Sequence, residues 1–264
     1  MKELLSKLLE QEDIFKPPTE EELLKRFIEG YSGKLNPDGT YDFDCSLYNL
    51  SSVVKNGKFI IKFGKVKGNF YCYECGLTTL EGAPKYVGGS FYCSYNNLTS
   101  LKGAPERVEG NFDCRGNKLK SLEGAPKYVG EYFNCSHNNL TSLKGAPKYV
   151  GGNFYCFKNN LTSLKGAPER VEGNFDCAFN DLTSLEGAPE RVGGNFVCHD
   201  NNLTSLEGAP KYVGGNFGCS HNKLTSLEGA PEYVGRGFYC YDNLVKFTRE
   251  DVSKVSEVKG EIIV

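Results

Sequence analysis

The chain of 264 residues contains no tryptophan, only three histidines and no surplus of either charge. Each shortage removes a class of function. Without tryptophan, the core has to be assembled from medium-sized side chains. With 31 basic against 33 acidic residues the net charge is -2, so no positive field exists to hold nucleic acid through counterion release. Nor is the chain acidic enough to imitate a nucleic acid. No run of about 18 apolar residues occurs, so no membrane-spanning helix is expected. The opening residues, Met1 to Asp13, place acids where a secretory signal needs an apolar stretch. A cytoplasmic location follows as the expectation, and there the 11 cysteines should stay reduced.

What the chain does have is periodic. Nine cysteines, Cys72, Cys93, Cys114, Cys135, Cys156, Cys177, Cys198, Cys219 and Cys240, follow one another at a single constant interval. Two residues before each stands a Phe, from Phe70 to Phe238. Leu follows five residues after each of the first eight cysteines and again three later, from Leu77 and Leu80 to Leu224 and Leu227. Each unit then passes through Gly-Ala-Pro to a Val, from Val87 to Val234. A fixed period in this range marks a solenoid, whose units bury their apolar faces only against their neighbours.

Physical chemistry assigns the parts of a unit. Phe-x-Cys alternates as a strand does, so both side chains point to one face. That face is the interior, because the residue between them varies freely. Asn recurs three residues after the Cys, from Asn96 to Asn243. A buried amide at such a turn can satisfy backbone groups of its own and the next coil, which predicts a structural ladder. Gly-Ala-Pro breaks a helix, so the return side should be extended or a short turn.

The unit Phe-x-Cys-x-x-Asn-x-Leu-Thr-Ser-Leu resembles the leucine-rich repeat family, and the following Pro-x-x-Val is similar to its short bacterial type, found in secreted effectors. The wording Gly-Ala-Pro-Lys-Tyr-Val-Gly-Gly-Asn-Phe-x-Cys is more like repeat proteins encoded by bacteriophages and prophages. The resemblance runs from about Asp42 to the C-terminus. It implies a β-rich solenoid of about ten to eleven 21-residue coils with one parallel sheet, and the residues ahead of it are read as capping N-terminal helices. Such folds host many functions, so the resemblance speaks to fold more than to role.

The expected organisation is a helical cap or arm over 1–40 and a solenoid over 41–264. The solenoid divides into a degenerate first coil (41–65), regular repeats (66–245) and a C-terminal cap (246–264). In the first coil, Phe43-Asp-Cys45 occupies the Phe-x-Cys frame. The step from Cys45 to Cys72 exceeds one period by six residues, which sit on its return side. Those form a hairpin around Asn56-Gly57. Met1–Glu12 has a helical pattern. A second helix starts at Thr19, with Glu22 completing a capping box. Thr248-Arg-Glu-Asp251 is another helix start, and Ile262 and Val264 take the Phe and Cys slots of a last strand.

Candidate chemistry mostly dissolves into this frame. Cys72-x-x-Cys75 is a core cysteine followed by a cysteine in the Asn slot, and zinc would need two further ligands beside them. His137, His199 and His221 fall on outward positions in different coils and form no triad or metal cluster. Ser94, Ser136 and Ser220 lack an elbow-type turn, so nucleophilic catalysis has no support. No cofactor and no enzymatic activity are expected. The charge columns of the return side, Glu81, Lys102, Glu123 and onward, read as a solvated face.

The strand face is where variation concentrates. Its outward positions hold Tyr71, Tyr73, Tyr92, Tyr95, Asp113, Arg115, His137, Tyr155, Phe157, Lys158, Asp176, Phe179, His199, Asp200, His221, Tyr239 and Tyr241. Exposed aromatics with scattered charges have the composition of binding hot spots. The expected function is therefore a non-enzymatic, phage-encoded scaffold that binds a protein, with a bacterial host or anti-phage defence protein as the partner. The alternative is a structural or adhesive virion component that touches glycans. Nucleic acid and membrane are not expected partners, and oligomeric state is left open.

Overall fold

The computed structural model describes residues 17–264; the helical pattern read at Met1–Glu12 lies outside them. The chain winds into about eleven coils. Each coil after the first contributes a two-residue strand at the Phe-x position, and these ten strands, from Phe70–Tyr71 to Ile262–Ile263, form one parallel sheet. Its register is strict, Phe opposite Phe: Phe112 pairs with Phe91 on one side and Phe133 on the other. Parallel pairing in this register brings identical side chains over one another. The Phe rings therefore stack into a continuous column, Phe70 on Phe91 with centroids 5.2 Å apart and planes 2° from parallel. Phe, Cys, both Leu and Val of each regular unit are fully buried or nearly so.

The return side, expected only to be extended, is also paired. Tyr/Arg-Val dipeptides form parallel ladders, one ending at Tyr149–Val150 and a second running from Arg170–Val171 to Glu257–Val258. Between the sheets, the Gly of Gly-Ala-Pro turns the chain with positive φ, +92° at Gly103. A side chain there would strike the Leu80 carbonyl of the coil before, with Cβ at 2.7 Å. Only glycine tolerates both demands.

Two asparagine ladders tie the coils together. Asn117 donates from Nδ2 to the carbonyls of Cys93 and Cys114, and its Oδ1 accepts the Leu98 N–H. The amide thus serves its own and the preceding coil, where the spacing had suggested the next one. The second ladder precedes the Phe: Asn174 Oδ1 accepts from the Asn195 backbone, and Asn195 Oδ1 accepts from Asn216. These side chains replace the hydrogen bonds that a longer strand would make with its neighbour.

At the front, helix α1 (Glu20–Gly30) begins at a Thr19–Glu22 capping box. It lays Phe27 against Phe43 and Phe63, with ring centroids 5.8 and 6.1 Å away. The first coil corrects the expected frame. Tyr41–Phe43 pairs with Phe63–Val66 in the return-side ladder, Phe43 opposite Val66, while Leu47 bridges to Phe70. Leu47 is therefore in the Phe slot, Phe43 is in the Val slot, and Cys45 is exposed. Phe43-x-Cys45 imitates the repeat, but only the frame through Leu47 buries Leu47, Leu50 and Val53 together. The hairpin does form, Val54–Lys55 against Lys58–Phe59, with positive φ at Asn56 and Gly57. At the back, helix α2 (Arg249–Val255) starts from a Thr248–Asp251 capping box, and Ile262 pairs with Phe238.

Candidate functional site

The strand face has three outward columns. The first is the residue between Phe and Cys. Its tyrosines are half-buried, apart from the exposed Tyr48, and stack where they are neighbours: Tyr48 on Tyr71 at 4.7 Å and Tyr71 on Tyr92 at 5.0 Å. Tyr48 joins this column only because Leu47 takes the Phe slot, so the misread frame concealed it. Asp113 departs from the outward position expected of it. It is 2% exposed, with Arg115 Nε 3.5 Å from its carboxylate and the Arg115 backbone N–H donating to it. Burial raises the Asp113 pKa against those two favourable contacts. Asp176, half-buried, is likewise raised by desolvation, while its bond from the Ala178 N–H pulls the other way.

The second column, the residue after Cys, alternates without exception: Tyr73, Ser94, Arg115, Ser136, Phe157, Ala178, His199, Ser220, Tyr241. The small members are buried and the large ones are exposed or half-exposed. The third column comes next in sequence and has positive φ at every coil, 51–53° at Tyr95, His137, Lys158, Phe179, Asp200 and His221. Its aromatics occur only in coils whose second-column residue is small. Each then leans on the large residue of the following coil. Arg115 lies over Tyr95 at 5.5 Å. His137 meets Phe157 edge-on at 5.4 Å, Phe179 meets His199 at 5.1 Å, and His221 meets Tyr241 at 5.3 Å.

The result is four pairs, one every two coils. Each joins a phenyl or phenol ring to a nitrogen-bearing group, and they use all three histidines of the chain. His199 Nδ1 lies 2.7 Å from Asp200, and His221 Nδ1 lies 3.6 Å from Asp242. Burial, with the charges of Lys158 and Arg115, lowers the His137 pKa. Lys158 sits 5.6 Å over Phe179, and Tyr155 meets Phe157 at 6.4 Å. Tyr73 and Tyr239 complete the face at its two ends. The alternation in the second column was visible in the sequence; only the pairing across coils explains it.

Among the described residues, no group of three or more His, Cys, Asp or Glu could hold a metal ion. The nine ladder thiols are buried, and desolvation raises their pKa, to about 11 at Cys240. Ser94, Ser136 and Ser220 are buried beneath their neighbours. A concavity of about 830 Å³ lies on the return side, lined in part by the hairpin strand Lys58–Phe59. Phe59, Ile60 and Ala104 help to line it, and Lys58, Lys62 and Lys102 stand around it. No described helix is long and apolar enough to cross a membrane.

Comparison with solved structures decides the architecture. The chain is similar to YopM, a leucine-rich effector protein from Yersinia pestis, with a TM-score of 0.50 and 23% identity over 66% of this chain and 49% of that one. This is a leucine-rich-repeat-type solenoid. YopM from Yersinia enterocolitica WA-314 matches at a TM-score of 0.46 and 16% identity, over 88% of this chain and 61% of that one. The chain thus spans about half to three-fifths of the length of these proteins. No family model and no curated protein matches it.

Proposed function

We propose that this solenoid is a non-enzymatic protein-binding scaffold whose strand face docks its partner. The observation that carries the reading is the third column. A left-handed backbone costs roughly 1–2 kcal/mol for a residue with a side chain, and glycine, as at Gly116, sits there without strain. Large rings at Tyr95, His137, Phe179 and His221 spend stability to stand exposed or half-exposed on one surface. Strain kept at surface positions is typical of functional sites. The phage-like wording of the repeats supports a phage-encoded protein that acts in the bacterial cytoplasm on a host or anti-phage defence protein.

Affinity capture from bacterial lysate tests this. The expected outcome is one stoichiometric protein, lost when Tyr92, Tyr155 and Phe157 are replaced by Ala, with thermal unfolding unchanged. Ile60→Asp in the return-side groove should leave capture intact. If that variant alone abolishes capture, the docking site is the groove and the strand-face reading fails.

A further inference from the structure

The strand-face reading leaves open what kind of surface the partner presents, and the ring pairs bear on this. Their two-coil repeat is not inherited from duplication of a double unit. The return side of the same coils runs Lys-Tyr, Glu-Arg, Lys-Tyr, Lys-Tyr, Glu-Arg, Glu-Arg, Lys-Tyr, Glu-Tyr from Lys85 onward, with no period of two. The doubling belongs to the outer strand face alone. It presents four ring pairs in a row, each taken as one slot and made of a ring with a nitrogen-bearing group edge-on to it or over its face.

Two coils advance about 9.6 Å at the usual spacing of neighbouring strands. A linear partner that uses successive slots must repeat at that distance. One turn of polyproline II, three residues at about 3.1 Å each, advances about 9.3 Å. Over the three steps that link four slots it drifts by about 1 Å. A β-strand repeats its side chains at about 6.6 Å, so it misses the next slot and meets only every second one, after about 19.8 Å. A helix using every seventh residue advances about 10.5 Å and drifts by about 3 Å over the same row. Aromatic-lined surfaces also suit the ridged, preformed polyproline II helix, which loses little entropy on binding.

Charge selects further. The three outward columns carry five carboxylates, Glu74, Asp113, Asp176, Asp200 and Asp242, against the permanent cations Arg115 and Lys158. Asp113 is matched by Arg115, and Asp200 and Asp242 lie beside His199 and His221; carboxylates still outnumber the permanent cations by five to two, which favours a cationic partner. We propose that the four slots bind a basic, proline-rich segment in the polyproline II conformation, laid along the solenoid axis with one turn per two coils. This rests on the strand face being the docking site.

The test is fluorescence polarisation of the full chain with labelled (Pro-Pro-Lys)4. The expected result is binding at least tenfold tighter than that of (Pro-Pro-Lys)2, of (Gly-Ser-Lys)4 with the same charge, and of (Pro-Pro-Glu)4. Phe157→Ala with Phe179→Ala should lower it at least tenfold at unchanged circular dichroism. Equal binding by (Gly-Ser-Lys)4, no binding at millimolar peptide, or an indifferent double variant overturns the proposal. The strand-face reading is judged separately. If capture of the lysate partner still depends on Tyr92, Tyr155 and Phe157 while (Pro-Pro-Lys)4 fails to displace it, docking stands and the polyproline segment is excluded.

Discussion

The strand face and the return side are built from the same coils, yet they handle exposure in opposite ways. On the return side, exposed residues are drawn from a short alphabet and bind one another along the stack. Arg107 lies 3.8 Å over the Tyr128 ring and Arg191 3.7 Å over Tyr212. Lys144 pairs with Glu123, and Lys165 with Glu186, both at 3.0 Å. These contacts join each coil to its neighbour and need no outside partner. On the strand face, residues differ from coil to coil, and the third column holds large side chains in a backbone conformation that penalises them. The return side resembles a surface tuned for register. The strand face resembles one tuned for something that is not part of the chain.

That contrast can be broken in several ways. The largest effect belongs to the interior that both faces share: native alkylation should label Cys45 and Cys75 orders of magnitude faster than Cys114 or Cys156. Mass-spectrometric mapping reads this, and rapid labelling of Cys114 would mean that the coils do not close over their core. Next, Asn159→Ala should lower unfolding free energy by about 3 kcal/mol, the scale of several buried groups left unsatisfied. It strands the Leu140 N–H and the carbonyls of Cys135 and Cys156. Denaturant titration measures it, and a change below about 1 kcal/mol, the worth of a single hydrogen bond, would show that water replaces the ladder.

Smaller effects separate the two faces. Phe179→Gly relieves a left-handed residue by roughly 1 kcal/mol and gives up the His199 ring pair and the exposed Lys158 contact, each worth about 0.5–1 kcal/mol. Net stability should hardly move while partner capture is lost. A loss several times the worth of one such pair would make the ring row structural. Arg191→Ala on the return side should cost about 0.5 kcal/mol, the range of an exposed cation–π contact, with capture unaffected. Should it abolish capture at unchanged stability, the assignment of the two faces is reversed.

Much of the fold was legible in the residues because each buried slot repeats from coil to coil. Phe, Cys, Leu, Asn and Val appear where a coil must close, so period and inward face followed directly. The first coil was misread for the same reason: Phe43-Asp-Cys45 looks like the repeat, and choosing between it and Leu47 requires knowing which frame buries Leu50 and Val53. The candidate site was legible only as a set of variable positions. Asp113 was expected to face outward, yet it is buried beside Arg115 and near Tyr132 of the following coil, whose phenol pKa is raised by burial and by the Asp113 charge. The large–small alternation from Tyr73 to Tyr241 was in plain view, but its meaning is a contact between neighbouring coils, one full period apart in the chain.

By itself, the order of residues determined the coil: where it turns, what it buries and how it repeats, since these depend on local geometry and on apolar side chains leaving water. Tertiary structure decided what lies over what. Stacking in parallel register converts each column of letters into a row of side chains about 5 Å apart, and at that distance rings, carboxylates and guanidinium groups have to meet, pair or bury one another.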